Sequence, residues 1–143
     1  MIREIKNLDE MLDFGRRLGE SLPIGATVEL VGDIGAGKTT LTKGIARGMA
    51  VDEDVQSPSF TISRLYSAPD GRFLAHYDFY RLNDPGIMVA EIAETLEDKQ
   101  TTVIVEWADV VEGALPDDRL TIRITSPTEQ SRRLDISGAD DII

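Results

Sequence analysis

The residues Gly32-Asp33-Ile34-Gly35-Ala36-Gly37-Lys38-Thr39-Thr40 carry the most specific chemistry in this sequence. Gly32 to Thr39 matches G-x-x-x-x-G-K-[ST] at every fixed position. Its three glycines allow backbone conformations closed to residues with a Cβ. The loop can then turn its N–H groups inward as an anion-binding nest, with Gly35, Ala36 and Gly37 at its centre. A helix starting at Lys38 adds unpaired amides and the positive end of its dipole. The Lys38 ammonium brings a full charge to β- and γ-phosphates. The Thr39 hydroxyl suits Mg²⁺, and Thr40 can hydrogen-bond an α-phosphate. The fixed positions coincide by chance in under ~1% of chains this long. The implied ligands are ATP or ADP and Mg²⁺.

Hydrolysis would also need an acid that holds the metal, directly or through water, and a group that orients the attacking water. In an open α/β sheet such groups stand at the carboxyl ends of strands beside the phosphate loop. Glu106 ends the run Thr102-Val103-Ile104-Val105, and Asp78 ends a strand that includes Phe73, Leu74 and Tyr77. Both are candidate metal ligands and, with Lys38, candidate catalytic residues; spacing does not divide their roles. Trp107, the only tryptophan, reads either as packing or as a wall of the site. His76, the only histidine, reads as a hairpin residue rather than a ligand. Arg64 and Arg81 could stabilise transition-state charge, although single arginines are ordinarily surface residues. Asn7 to Asp9 and the pair Arg132-Arg133 are candidates for the base pocket.

These groups need a scaffold. Met1 to Ile5 reads as an edge strand. Asn7 offers an N-cap, with Glu10 three residues on. Met11, Gly15, Leu18 and Leu22 recur at helical spacing, and Pro23 stops that helix. Thr27 to Val31 is a β-branched run suited to a buried strand. Lys38 to Met49 reads as a helix with Leu41, Ile45 and Met49 on one face. Phe60 to Tyr66 and Arg72 to Tyr77 flank the turn signal Ala68-Pro69-Asp70-Gly71 and read as a hairpin. Ile87 to Leu96 looks helical. Leu120, Ile122 and Ile124 alternate, as do Leu134 and Ile136, which predicts antiparallel strands near an edge. The fold class is α/β, one P-loop domain over 1–143, with 138–143 expected to be a flexible acidic tail.

Composition bounds the rest. Hydrophobic residues at 41% and charged residues at 29% fit a globular chain, and the absence of cysteine excludes disulfides and thiolate metal sites. The N-terminus lacks the apolar core of a secretory signal, and no run of about 18 apolar residues occurs. A net charge of -11 repels nucleic-acid backbones, so strong direct binding to RNA or DNA is not expected.

Four segments in order resemble one family: the phosphate loop through Thr40, Ser57-Pro58-Ser59-Phe60-Thr61, His76-Tyr77-Asp78-Phe79-Tyr80-Arg81-Leu82 and Ile104-Val105-Glu106-Trp107. They resemble TsaE, formerly YjeE, the small bacterial ATPase of tRNA threonylcarbamoyladenosine biosynthesis. The resemblance covers about residues 5 to 125. It implies a compact P-loop fold with a mixed sheet and antiparallel strands at one side. It implies a cytoplasmic subunit that works with TsaD and TsaB, meets tRNA only through them, and resets their complex by hydrolysing ATP. By the same resemblance Glu106 is the Walker B acid, Asp78 an essential aspartate near the metal, and Ser57, Ser59 and Thr61 a switch that senses the γ-phosphate with Trp107. Two stretches depart from the pattern: Gly86-Ile87-Met88-Val89 replaces an expected Glu and Leu-Gly pair, and the chain ends acidic where some relatives end basic. The competing reading is a P-loop small-molecule kinase, although no arginine-dense lid follows the loop. A guanine-selecting N-K-x-D segment is absent, which disfavours a GTP switch.

Overall fold

The elements run β1 (Ile2–Ile5), α1 (Leu8–Ser21), β2 (Thr27–Val31), α2 (Lys38–Gly48), β3 (Ser63–Ser67), β4 (Phe73–Asp78), α3 (Gly86–Glu97), β5 (Thr101–Glu106), β6 (Leu120–Thr125) and β7 (Arg132–Ser137). A 3-10 segment, Ala108–Ala114, lies between β5 and β6. The structure, a computed structural model, describes residues 1–33, 35–55, 63–80 and 86–138. Ile34, the Ser57 to Thr61 segment with its proposed switch residues Ser57, Ser59 and Thr61, Arg81 and the tail from 139 onward lie outside the described residues.

All seven strands join one sheet in the order β1-β7-β6-β2-β5-β4-β3. Its centre is parallel: β2 lies between β5 and β6, and β4 runs beside β5. Parallel central strands are covered on both faces, which is why Thr101 to Glu106 is buried at every position. The alternating segments β6 and β7 do pair antiparallel, as expected. The expectation needs one correction: β6 is also parallel to β2, so it belongs to the centre, and β1 closes the edge beyond β7. Alternation marks the exposed residues of a strand but does not fix its partner's direction. At the other side, the β3–β4 hairpin adds an antiparallel pair around Gly71, whose φ is +89°.

Two apolar layers sandwich the sheet. On one face α1 and α2 pack Met11, Leu18, Leu41 and Ile45 against Val28, Leu30, Leu74, Ile104 and Ile122. On the other, Ile92 of α3 and Val111 pack against Ala75, Tyr77, Val103 and Val105. Each fully buried aliphatic side chain is worth about 1.5–3 kcal/mol. Asn7 caps α1 as expected, its Oδ1 accepting the Glu10 N–H at 2.9 Å, a bond worth about 1 kcal/mol.

The contact between α1 and α2 is made by backbone. Gly15 and Gly19, one turn apart, face Gly44 and Gly48. A Cβ at Gly44 would stand 2.6 Å from the Leu12 carbonyl oxygen, and one at Gly48 only 2.1 Å from that of Arg16. No side chain fits between these helices. Such an approach fixes α2, and so the loop at its start, against α1. Gly44→Ala is therefore expected to destabilise the chain by about 2–3 kcal/mol through overpacking. Gly113→Ala, where a Cβ meets nothing within 4 Å, is the control; urea unfolding of the two variants checks the contrast.

Candidate active site

The phosphate loop joins β2 to α2. Gly35 and Gly37 have φ of +82° and +109°, values that only glycine adopts without strain. Gly32 does not, which corrects the expectation that all three glycines serve conformation. A Cβ at Gly32 would lie 2.9 Å from the Ile124 carbonyl oxygen, so its constraint is the close pass of β6. No side chain caps α2 at Gly37, leaving the first-turn amides to an outside acceptor. Lys38 is only 7% exposed. Its Nζ donates to the carbonyl oxygen of Gly32, and a second carbonyl, of Asp33, lies at 3.5 Å. Among the described residues no carboxylate pairs with it. A buried cation with neutral partners and an uncapped helix start form a site prepared for an anion.

The acids arrive by strand parity. Side chains of a strand alternate between faces. Leu74 packs on the α1/α2 face, so His76 and Asp78 share that face; Ile104 packs there, so Glu106 does too. Register then aligns Asp78 with Glu106, and Glu106 with Leu30 just before the loop. Both acids thus stand where Lys38 is, at the carboxyl ends of neighbouring strands.

Their environments differ. Glu106 is buried, and its Oε2 lies 2.5 Å from Nε2 of His76, itself fully buried. Asp78 is half-buried, with Oδ1 accepting the Tyr80 N–H at 3.1 Å. Burial pushes the Asp78 carboxyl above the ordinary carboxylate range; the Tyr80 amide opposes this, the charge of Glu106 adds to it, and His76 and Lys38 oppose it.

Trp107 follows Glu106 with a φ of +57°, a strained value for a bulky residue. The sharp bend brings its ring over Lys38, 4.5 Å from Nζ to the centroid, a contact worth about 0.5–2 kcal/mol. The Tyr80 ring lies 5.0 Å from that of Trp107.

These groups surround a cleft of about 1040 Å³. Gly35, Gly37, Lys38, Thr39, Thr40, Asp78, Glu106 and Trp107 all line it, so the structure brings together the residues singled out in the sequence. Ala36 is buried behind the loop. Asn7, Leu8 and Asp9 form one lip, and Glu129, Gln130 and Arg132 another. Arg132 is more than a base-pocket candidate: its Nε donates to the Ala36 carbonyl at 2.9 Å and its Nη1 to that of Ser131 at 2.7 Å. It ties the loop to the β6–β7 turn. Arg133 instead lies 4.0 Å from Glu4, and Arg64 is exposed on β3 away from the cleft. Sequence reasoning missed the partnership of His76 with Glu106; the two-residue spacing of His76 and Asp78 was the available signal.

A family profile described as "Threonylcarbamoyl adenosine biosynthesis protein TsaE" matches residues 5–134. The chain belongs to the TsaE family. It is 39% identical over 115 residues to the tRNA threonylcarbamoyladenosine biosynthesis protein TsaE of Streptomyces coelicolor, covering 80% of this chain and 78% of the relative. To the protein of that name from Nostoc sp. it is 33% identical over 133 residues, covering 90% and 80%. A crystal structure of Bacillus subtilis YdiB matches with a TM-score of 0.76 at 32% identity, over 94% of this chain and 82% of that one. The TsaE family is thus the frame for this cleft, and its name ties the chain to threonylcarbamoyladenosine biosynthesis.

Asp78 yields a stability prediction. Its raised pKa means the folded chain binds this proton more readily than the unfolded chain. The associated stability is present below the ordinary carboxylate pKa of about 4 and is lost as pH rises through the raised value. Asp78→Asn keeps the acceptor for the Tyr80 amide. It is expected to raise the melting temperature of the ligand-free chain near neutral pH, with the gain fading in acid; calorimetric scans across pH check this.

Proposed function

We propose that this TsaE-family chain binds ATP with Mg²⁺ in the cleft and hydrolyses it, slowly alone and faster on a complex of TsaD and TsaB. Family membership in threonylcarbamoyladenosine biosynthesis supports that setting, which would be cytoplasmic, with tRNA met only through the complex. Among the described residues no helix is long and apolar enough to cross a membrane. The observation that carries the ATPase reading is Lys38: a buried ammonium with no paired carboxylate among the described residues, beside an uncapped helix start and lining one cleft with two strand-end acids.

The residues fit the ligand. The loop amides and Lys38 hold the charge that spreads over the phosphates during transfer. Thr39, Asp78 and Glu106 are the side chains that would hold the metal. Mg²⁺, when bound, would neutralise phosphate charge and polarise the transferred group. Asp78 or Glu106 orients the attacking water. The ring of Trp107 screens Lys38 from bulk solvent, which strengthens its field. In this reading Ser57, Ser59 and Thr61 respond to the γ-phosphate and alter the surface offered to partners.

Lys38→Ala is expected to lower turnover by at least about 100-fold, measured as phosphate release with and without the TsaD–TsaB complex. Retention of full nucleotide binding and turnover in that variant would refute the proposal. Arg132→Ala should act differently, because it loosens the loop without touching phosphate. Its nucleotide affinity is expected to fall about 10-fold, as when a residue that supports a binding group is lost, with kcat nearly kept; calorimetry and saturation kinetics separate the two effects.

A further inference from the structure

The buried pair His76–Glu106 is unexplained by the chemistry above. His76 is fully buried on the face formed by Leu74 and Ile104, where an aliphatic side chain would pack without desolvation cost. Its Nδ1 has no hydrogen-bond partner among the described residues, a further cost. Its Nε2 lies 2.5 Å from Glu106 Oε2. A carboxylate oxygen at this distance accepts from an imidazole N–H, so Nε2 carries a proton. The other neutral tautomer would set a lone pair against the carboxylate. It would also bury an Nδ1–H without an acceptor among the described residues.

We propose that His76 is a positioning residue for Glu106. Its Nε2–H holds Oε2, fixes the rotamer of the acid, and leaves Oε1 as the oxygen offered to the cleft that Glu106 lines. The role rests on the ATPase reading, in which Glu106 must accept from water or metal in one orientation. A carboxylate free to rotate at a strand end would present either oxygen at several angles, and misplaced acceptors lose most of their catalytic effect. The unsatisfied Nδ1 is the cost of placing a donor behind the acid.

Two measurements test this on the full-length chain. His76 is the only histidine, so long-range ¹H–¹⁵N spectra report its ring alone. The expected spectrum shows a proton on Nε2, with its signal shifted in Glu106→Gln. A bare Nε2 overturns the proposal. In kinetics, His76→Leu is expected to lower kcat about 10- to 100-fold, with KM for ATP changed by less than about threefold. His76→Gln retains an N–H of similar reach and should recover most of the loss. Wild-type turnover in a folded His76→Leu, or no recovery with Gln, also overturns it. Should His76→Leu fail to fold, the spectrum and the comparison of His76→Gln with Glu106→Gln decide: a His76→Gln variant as slow as Glu106→Gln counts against the proposal. A wild-type chain with the expected tautomer that releases no phosphate overturns the ATPase reading, and the positioning role falls with it; the spectrum tells that failure apart from a wrong hydrogen bond.

Discussion

A lysine ammonium held out of water by carbonyl oxygens, with no carboxylate paired to it among the described residues, is the constraint around which this molecule is arranged. Burial of a charge is tolerated when dipoles solvate it or when a counter-charge arrives. Here the dipoles are the Gly32 and Asp33 carbonyls, and in the proposed reading the counter-charge is the nucleotide's. Each neighbouring feature follows from that demand. Two glycines of the loop take the positive φ that its turn requires. The strained bend at Trp107 lays an aromatic face over the cation. The acids stand close enough to share its field without quenching it.

What keeps the arrangement fixed lies one layer away. The glycine pairs of α1 and α2 bring two backbones into contact, so the helix that begins with Lys38 has little freedom to slide or roll. The same contact sets α1, whose first residues form a lip of the cleft. Arg132 closes the arrangement from the other side, binding the back of the loop through main-chain carbonyls. A polyanion would meet a cradle already shaped, and so would not have to offset the ordering of a glycine-rich loop.

Much of this was legible in the sequence because it is local. The loop motif, the Asn7 cap, the stripe of Leu41 and Ile45, and the strand that ends at Glu106 all depend on residues within a few positions of one another. The parts that were not legible depend on contacts across the sheet. Nothing near Leu120 says that β6 runs parallel to β2. Gly44 and Gly48 read as weak helix positions until Gly15 and Gly19 are seen opposite. Gly32 looks like a conformational glycine until Ile124 passes beside it. His76 reads as a hairpin residue because its partner lies thirty residues away, on a strand whose register the sequence does not specify.

Parity also explains why two acids side by side need not do the same work. His76, Asp78, Ile104 and Glu106 share one face by their spacing of two, and the parallel register sets the acids together. Yet Asp78 closes its strand at the mouth of the cleft, half-buried and accepting the amide N–H of Tyr80. Glu106 sits deeper, one oxygen held by a ring that solvent does not reach. Paired carboxylates take separate roles when their surroundings separate them. The separation here comes from depth and from one histidine, so a fold that repeats strand ends side by side obtains a half-exposed acid and a buried one from almost the same backbone.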